Sequence, residues 1–112
     1  MQRVPKSLVP PTQITASAAT YYTAPANTVA EITAATATNS TGTARTITVH
    51  IVASGGSAAA ANKVVQTKVV PANGAVLLPE LVGQKIPTGS FISALADAAT
   101  AVNLTVGGYE VS

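Results

Sequence analysis

The stretch from Thr28 to Ala53 leaves this chain few folds to choose from. Ile47, Val49 and Ile51 alternate with Thr46, Thr48 and His50, a period of two that sends one set inward and the other outward. The preceding residues alternate less strictly, but their Thr, Val and Ile content suits a pleated, half-buried surface. Between the two runs, Asn39-Ser40-Thr41-Gly42-Thr43 supplies the Asn and Gly that a hairpin connection needs for positive φ. The expectation is one long hairpin. A hairpin cannot bury its apolar face alone, so the other segments must cover it. Ile47, Val49 and Ile51 are expected to share that core with Val102, Leu104 and Val106.

The rest of the chain reads as short strands between turns. Met1 to Pro11 holds three prolines and two basic residues, which predicts an extended arm outside the domain. Thr12 to Thr23 contains a first strand with Ile14, Tyr21 and Tyr22, and Ala24-Pro25-Ala26-Asn27 is a turn. Ser54-Gly55-Gly56-Ser57 breaks the chain after the hairpin, and Ala58 to Ala61 has the composition for one helical turn. Lys63 to Val70 is a strand ended by Pro71-Ala72-Asn73-Gly74, with Asn-Gly a strong turn signal. Ala75 to Leu78 is a short strand. Glu80 to Lys85 is expected to cross between layers, with Leu81 and Val82 in the core, and Pro87-Thr88-Gly89-Ser90 is a further turn. Phe91 to Ala96 and Ala101 to Glu110 form a closing strand pair, with Asp97 and Thr100 in the turn. A helix over Ala94 to Val102 is the alternative there. Gly107-Gly108 predicts a bulge or a close backbone approach. The fold class is all-β: an antiparallel β-sandwich or jelly roll of seven or eight short strands over residues 12–112, with an extended N-terminal arm over residues 1–11.

Composition narrows function by exclusion. Charged residues make up 9% of the 112 positions, against about 25% in ordinary soluble domains. Hydrophobic content of 47% and a net charge of +2 argue against disorder. A surface of Thr, Ser, Ala and Asn is poorly protected against association, so it reads as one covered by partners. A Thr-rich secreted or surface-layer domain is the alternative. The basic residues Arg3, Lys6, Arg45, Lys63, Lys68 and Lys85 are scattered and form no stripe for nucleic acid. The chain has no cysteine, which leaves no disulfide and no thiolate metal site. No apolar segment reads as a signal peptide or a membrane span, and the expectation is a chain that stays soluble in the cytosol.

No catalytic constellation emerges. His50 is the only histidine, too few for a multi-histidine metal site, and it is expected as a solvated or interface residue on the Thr face. Glu31, Glu80, Asp97 and Glu110 form no paired motif of the kind glycoside hydrolysis uses. Ser54-Gly55-Gly56-Ser57 lacks the Lys-Ser/Thr of a phosphate loop and the setting of a nucleophile elbow. Asn39-Ser40-Thr41 and Asn103-Leu104-Thr105 match the N-glycosylation pattern by composition alone. The Thr33 to Thr38 alternation gives a single Thr row, where an ice-binding sheet needs several. No cofactor and no metal are expected.

Tyr22-Thr23-Ala24-Pro25-Ala26-Asn27-Thr28, Ala35-Thr36-Ala37-Thr38-Asn39-Ser40-Thr41, Arg45 to Val52, Ser54-Gly55-Gly56, Pro79-Glu80-Leu81-Val82-Gly83 and Phe91-Ile92-Ser93-Ala94 together resemble small β-sandwich virion proteins of tailed bacteriophages. The resemblance spans about residues 14–112. It implies a non-enzymatic capsid decoration (cement) protein, made in the host cytoplasm and carried on the virion. The implied partner is the major capsid protein, with the chain a homo-oligomer or present in many copies, and no nucleic acid or membrane involved. Arg3, Lys6, Leu8 and Val9 of the arm are the expected partner contacts, with the loop ends of the sandwich as the other anchoring surface. A tail, neck or fibre component and a carbohydrate-binding sandwich using Tyr21, Tyr22, Phe91 and Tyr109 are the alternatives.

Overall fold

The computed structural model describes residues 3–98 and 101–111; Met1 and Gln2 of the expected arm and Thr100 of the expected turn lie outside them. Nine strands run through the described residues: β1 (Arg3–Gln13), β2 (Ala19–Thr23), β3 (Val29–Asn39), β4 (Arg45–Val52), β5 (Lys63–Val70), β6 (Gly74–Leu77), β7 (Lys85–Ile86), β8 (Phe91–Ala96) and β9 (Val102–Val111). One antiparallel sheet has the order β1-β9-β3-β6, with β7 beside β3 further along, and the other has the order β2-β8-β4-β5. We call them the β3 sheet and the β4 sheet. They pack face to face as a β-sandwich around Ile47, Val49, Ile92, Val102, Leu104 and Val106, with Ile51 only partly buried at the margin. No α-helix occurs among the described residues, and the Ala-rich segment closes as a single 3-10 turn, Ala60–Asn62.

The long hairpin is not one. β3 and β4 lie in opposite sheets, so the chain arches over the core between them. Asn39 is the cause. It is 1% exposed, its Nδ2 donates to Thr43 O (2.8 Å) and Val70 O (3.1 Å), and its Oδ1 accepts from Thr41 N (2.9 Å) and Thr41 Oγ1 (2.7 Å). Winding the turn around a buried amide directs β4 away from β3. The β4 ladder is completed by β5, with Arg45 opposite Val70, and by β8, with Val49 opposite Ala94. β8 and β9 likewise belong to different sheets instead of pairing with each other. Arches put the apolar sides of successive strands against each other across the core, which hydrophobic burial rewards as well as hairpin pairing does.

The N-terminal segment is also corrected. Arg3 to Gln13 is the edge strand β1, paired with β9 from Arg3 opposite Val111 to Gln13 opposite Asn103. Leu8 and Val9 are buried in this chain's own core and are not available to a neighbour. The register slips between Ser7 and Val9 and again between Val9 and Thr12, around Pro10 and Pro11. A proline-bearing strand is tolerated at an edge, where one side needs no ladder donor.

The segment after β6 stays in the β3 sheet instead of crossing between layers, because β6 and β7 both pair with β3. Leu81 is buried, while Val82 points out. Gly108 shows the close approach expected of Gly107-Gly108, since a Cβ there would collide with the backbone oxygen of Glu31. β3 slips register between Ile32 and Ala34 beside it.

Candidate functional site

Titratable side chains are the first place to look for chemistry. Each acid is paired with a base: Glu31 with Lys85 (3.7 Å), Glu80 with Lys68 (3.2 Å), Asp97 with Arg45 (4.0 Å) and Glu110 with Lys6 (3.3 Å). The four pairs are separate, and no group of three or more metal-ligating side chains occurs among the described residues. The densest cluster ties the two sheets at their margin. Tyr22 on β2 donates to Glu110 Oε2 on β9 at 2.6 Å, and Lys6 on β1 bonds the same oxygen. Burial pushes the Tyr22 hydroxyl well above its usual range, and the Glu110 carboxylate adds to that. The Tyr22 hydrogen bond, then Lys6, holds the Glu110 carboxyl below the usual range against the opposing effect of burial. Glu80 is also lowered, first by its own backbone amide and then by Lys68. These groups are held in their resting states: the phenol keeps its proton and the carboxylate its charge. That suits a clasp better than a proton relay.

Arg3 and Lys6 therefore have partners within the chain, since the Arg3 guanidinium lies 5.4 Å from the Tyr109 ring centroid. Two of the expected contact residues are engaged at the sheet margin and the other two, Leu8 and Val9, are core. The structure does not assemble Arg3, Lys6, Leu8 and Val9 into a surface.

His50 is not solvated. Thr48, His50 and Val52 face outward from β4, as does Ser93 opposite His50 on β8, yet all four are buried. The loop between β4 and β5 folds back over His50 and over Val52, against which Gly56 packs, while Thr48 Oγ1 accepts from Thr67 N on β5 (3.1 Å). Nδ1 of His50 lies 2.8 Å from Asn62 Oδ1 and 3.1 Å from Ala59 O. Both are acceptors, because Asn62 Oδ1 also takes the Ala59 N–H (2.9 Å) while Asn62 Nδ2 donates to Ser57 O (2.9 Å). Nδ1 therefore carries the proton. Asn62 thus staples the loop and His50 anchors it. Val69 on β5 stays 58% exposed, but around His50 and Val52 the outer side of the β4 sheet is covered by its own chain.

The outer side of the β3 sheet is not. Register and burial place Ser7, Asn103, Thr105, Gly107, Ala34, Thr36, Thr38, Ala75 and Leu77 on it. None is charged. The charges of this face sit at one end, where Glu31 pairs with Lys85 and Arg3 covers Tyr109. Two concavities open here. An apolar notch of about 260 Å³ lies in the gap between β6 and β7, lined by Ala34, Ala35, Leu77, Leu78, Pro79 and Val82 together with Thr33. Leu77 is 72% exposed on its rim and Val82 49%. At the end of the sheet, beside the β3–β4 arch, a shallower polar concavity of about 520 Å³ is lined by Thr38, Asn39, Ser40, Asn73, Gly74 and Ala75.

In comparisons with known proteins, no family model, no curated protein and no solved structure matches the chain.

Sequence reasoning did not single out the Tyr22–Glu110–Lys6 clasp, the Asn62 staple or the open face. The clasp joins residues up to 104 positions apart, which no local pattern displays. The open face did leave a signal: Thr36 and Thr38 alternate with the buried Ala35 and Ala37, a period of two with the polar set outward.

Proposed function

We propose that this chain is a non-catalytic structural protein of a bacteriophage virion, a capsid decoration protein that stabilises the head by bridging major capsid subunits. The observation that carries this reading is the exterior: a rigid sandwich whose outward-facing sheet is wide and uncharged, and whose acids are each neutralised by a base. A protein of this kind acts by being covered, and its low charge makes burial inexpensive in desolvation. The likeness of residues 14–112 to small virion sandwiches supplies the particle. With β1 paired in its own sheet, the open β3 face and the loop ends of the sandwich, including the polar concavity at the β3–β4 arch, are the surfaces left to touch the capsid. Sugar stacking has less support, because Tyr22 is buried, Tyr21 and Phe91 are half-buried and Arg3 lies over Tyr109.

The test is the copy number of this chain in purified particles, measured against the major capsid protein. A simple ratio near one per capsid subunit or per capsomer supports a decoration protein. A few copies per particle would move it to the tail or neck, and its absence from particles would overturn the reading.

A further inference from the structure

We infer that the open face of the β3 sheet is the interface of a twofold homodimer, in which Leu77 of each copy enters the apolar notch of the other. This inference does not rest on the virion reading. It begins with what the other surfaces rule out. Strand addition is disfavoured at the edges: β1 carries Pro5, Pro10 and Pro11, β2 is five residues long with a register slip between Thr20 and Tyr22, and β5 carries Lys63 and Lys68 with a positive-φ Thr67 in a slipped register. β6 is four residues long, with the Leu77 carbonyl already accepting from Lys68 Nζ at 3.0 Å. Prolines, lysines and bulges at edges all prevent sheet-to-sheet pairing. The outer side of the β4 sheet is covered by its own loop around His50 and Val52, although Val69 stays exposed on it. The β3 face carries no such cover.

That surface suits a second copy of itself. It is uncharged over its centre, so bringing two copies together sets no like charges against each other and leaves no charge unpaired. Its own charges lie at one end and are matched within the chain, as is the Lys68–Glu80 pair at the β6 edge beside Leu77. The knob and the hole are neighbours: Leu77, the most exposed large apolar side chain among the described residues, forms part of the rim of the 260 Å³ notch. A twofold axis between them places each Leu77 over the partner's notch, the reciprocal contact that an isologous interface requires. The hole is ample, since a cavity of about 150 Å³ already accepts a benzene-sized guest. Area agrees. Strands β1, β9, β3 and β6, of 11, 10, 11 and 4 residues, rise about 3.3 Å per residue and lie about 4.8 Å apart, which presents roughly 570 Å² per copy. Two copies would bury about 1,100 Å², above the roughly 1,000 Å² that a specific interface should clear.

The experiment is sedimentation equilibrium of the full chain, with Leu77→Asp, Ala34→Arg and, as a control on the opposite sheet's edge, Lys63→Glu. Circular dichroism melting accompanies each variant, and all three sites are exposed, so the fold should be kept. The expected result is a wild-type dimer insensitive to salt, weakened about tenfold or more by Leu77→Asp and by Ala34→Arg and unchanged by Lys63→Glu. A monomeric wild type overturns the inference. So does a dimer that survives both face variants, one lost equally in the control, or one dispersed by salt.

Discussion

Single residues decide where this chain turns. Asn39 spends its side-chain amide on four contacts inside the β3–β4 arch, so Asn39→Ala should cost about 2–3 kcal/mol by stranding buried backbone groups. A urea melt with an unchanged slope and a lower midpoint is the expected readout. The same burial makes Asn39 a poor glycosylation acceptor, whatever its sequence context. The two adjacent glycines separate just as clearly. Nothing lies near a Cβ at Gly107, whereas one at Gly108 would strike the backbone of Glu31. Gly107→Ala should leave stability within about 0.5 kcal/mol, and Gly108→Ala should lower it by roughly 1–3 kcal/mol or more. The Tyr22–Glu110 bond sets the pH limits. The folded state lowers the Glu110 pKa, so its contribution is present above the unfolded value of about 4.3 and lost as pH falls through the folded value. It raises the Tyr22 pKa, so that contribution is present below about pH 10 and lost as pH rises towards the folded value. Thermal melts across pH should show Tyr22→Phe flattening the alkaline loss.

At the scale of elements, the strands were readable from the sequence and their partners were not. Period two placed β4, β5, β8 and β9 within a residue or two, because alternation is local. Whether β3 pairs with β4 or arches over the core depends on the Asn39 contacts with Val70, 31 positions away, and no short pattern encodes those. The N-terminal segment shows the same limit. Its prolines spoke for an arm, while the burial of Leu8 and Val9 outweighs them and fixes β1 to β9. Fully burying a Leu and a Val is worth about 1.5–3 kcal/mol each. Deleting residues 1–11 should therefore lower the melting temperature by well over 10 °C or unfold the domain. A truncated chain that melts like the full one would return the segment to the status of an arm. β7, only two residues long, is too short for any periodicity to reveal.

For the whole molecule, the two outer faces carry the functional argument. The β4 sheet is closed around His50 and Val52 by its own loop, and the β3 sheet is left open, notched and uncharged over its centre. Only half of that contrast is legible in the sequence. The Thr rows of β3 announce an outward polar face, but the cover over His50 exists only once the β4–β5 loop folds back. Because the chain contains no cysteine, thiol labelling can read both faces without background. Single-cysteine variants would be made at Thr36 on the open face, at the buried Ser93 opposite His50 and at Ser57 on the exposed loop, and their labelling rates followed at low and high protein concentration. In dilute solution Thr36→Cys and Ser57→Cys should react fast and Ser93→Cys slowly; on concentration Thr36→Cys alone should slow as the faces meet. Equal rates at Thr36→Cys and Ser93→Cys, or a Thr36→Cys rate indifferent to concentration, would contradict the assignment of the β3 sheet as the working surface.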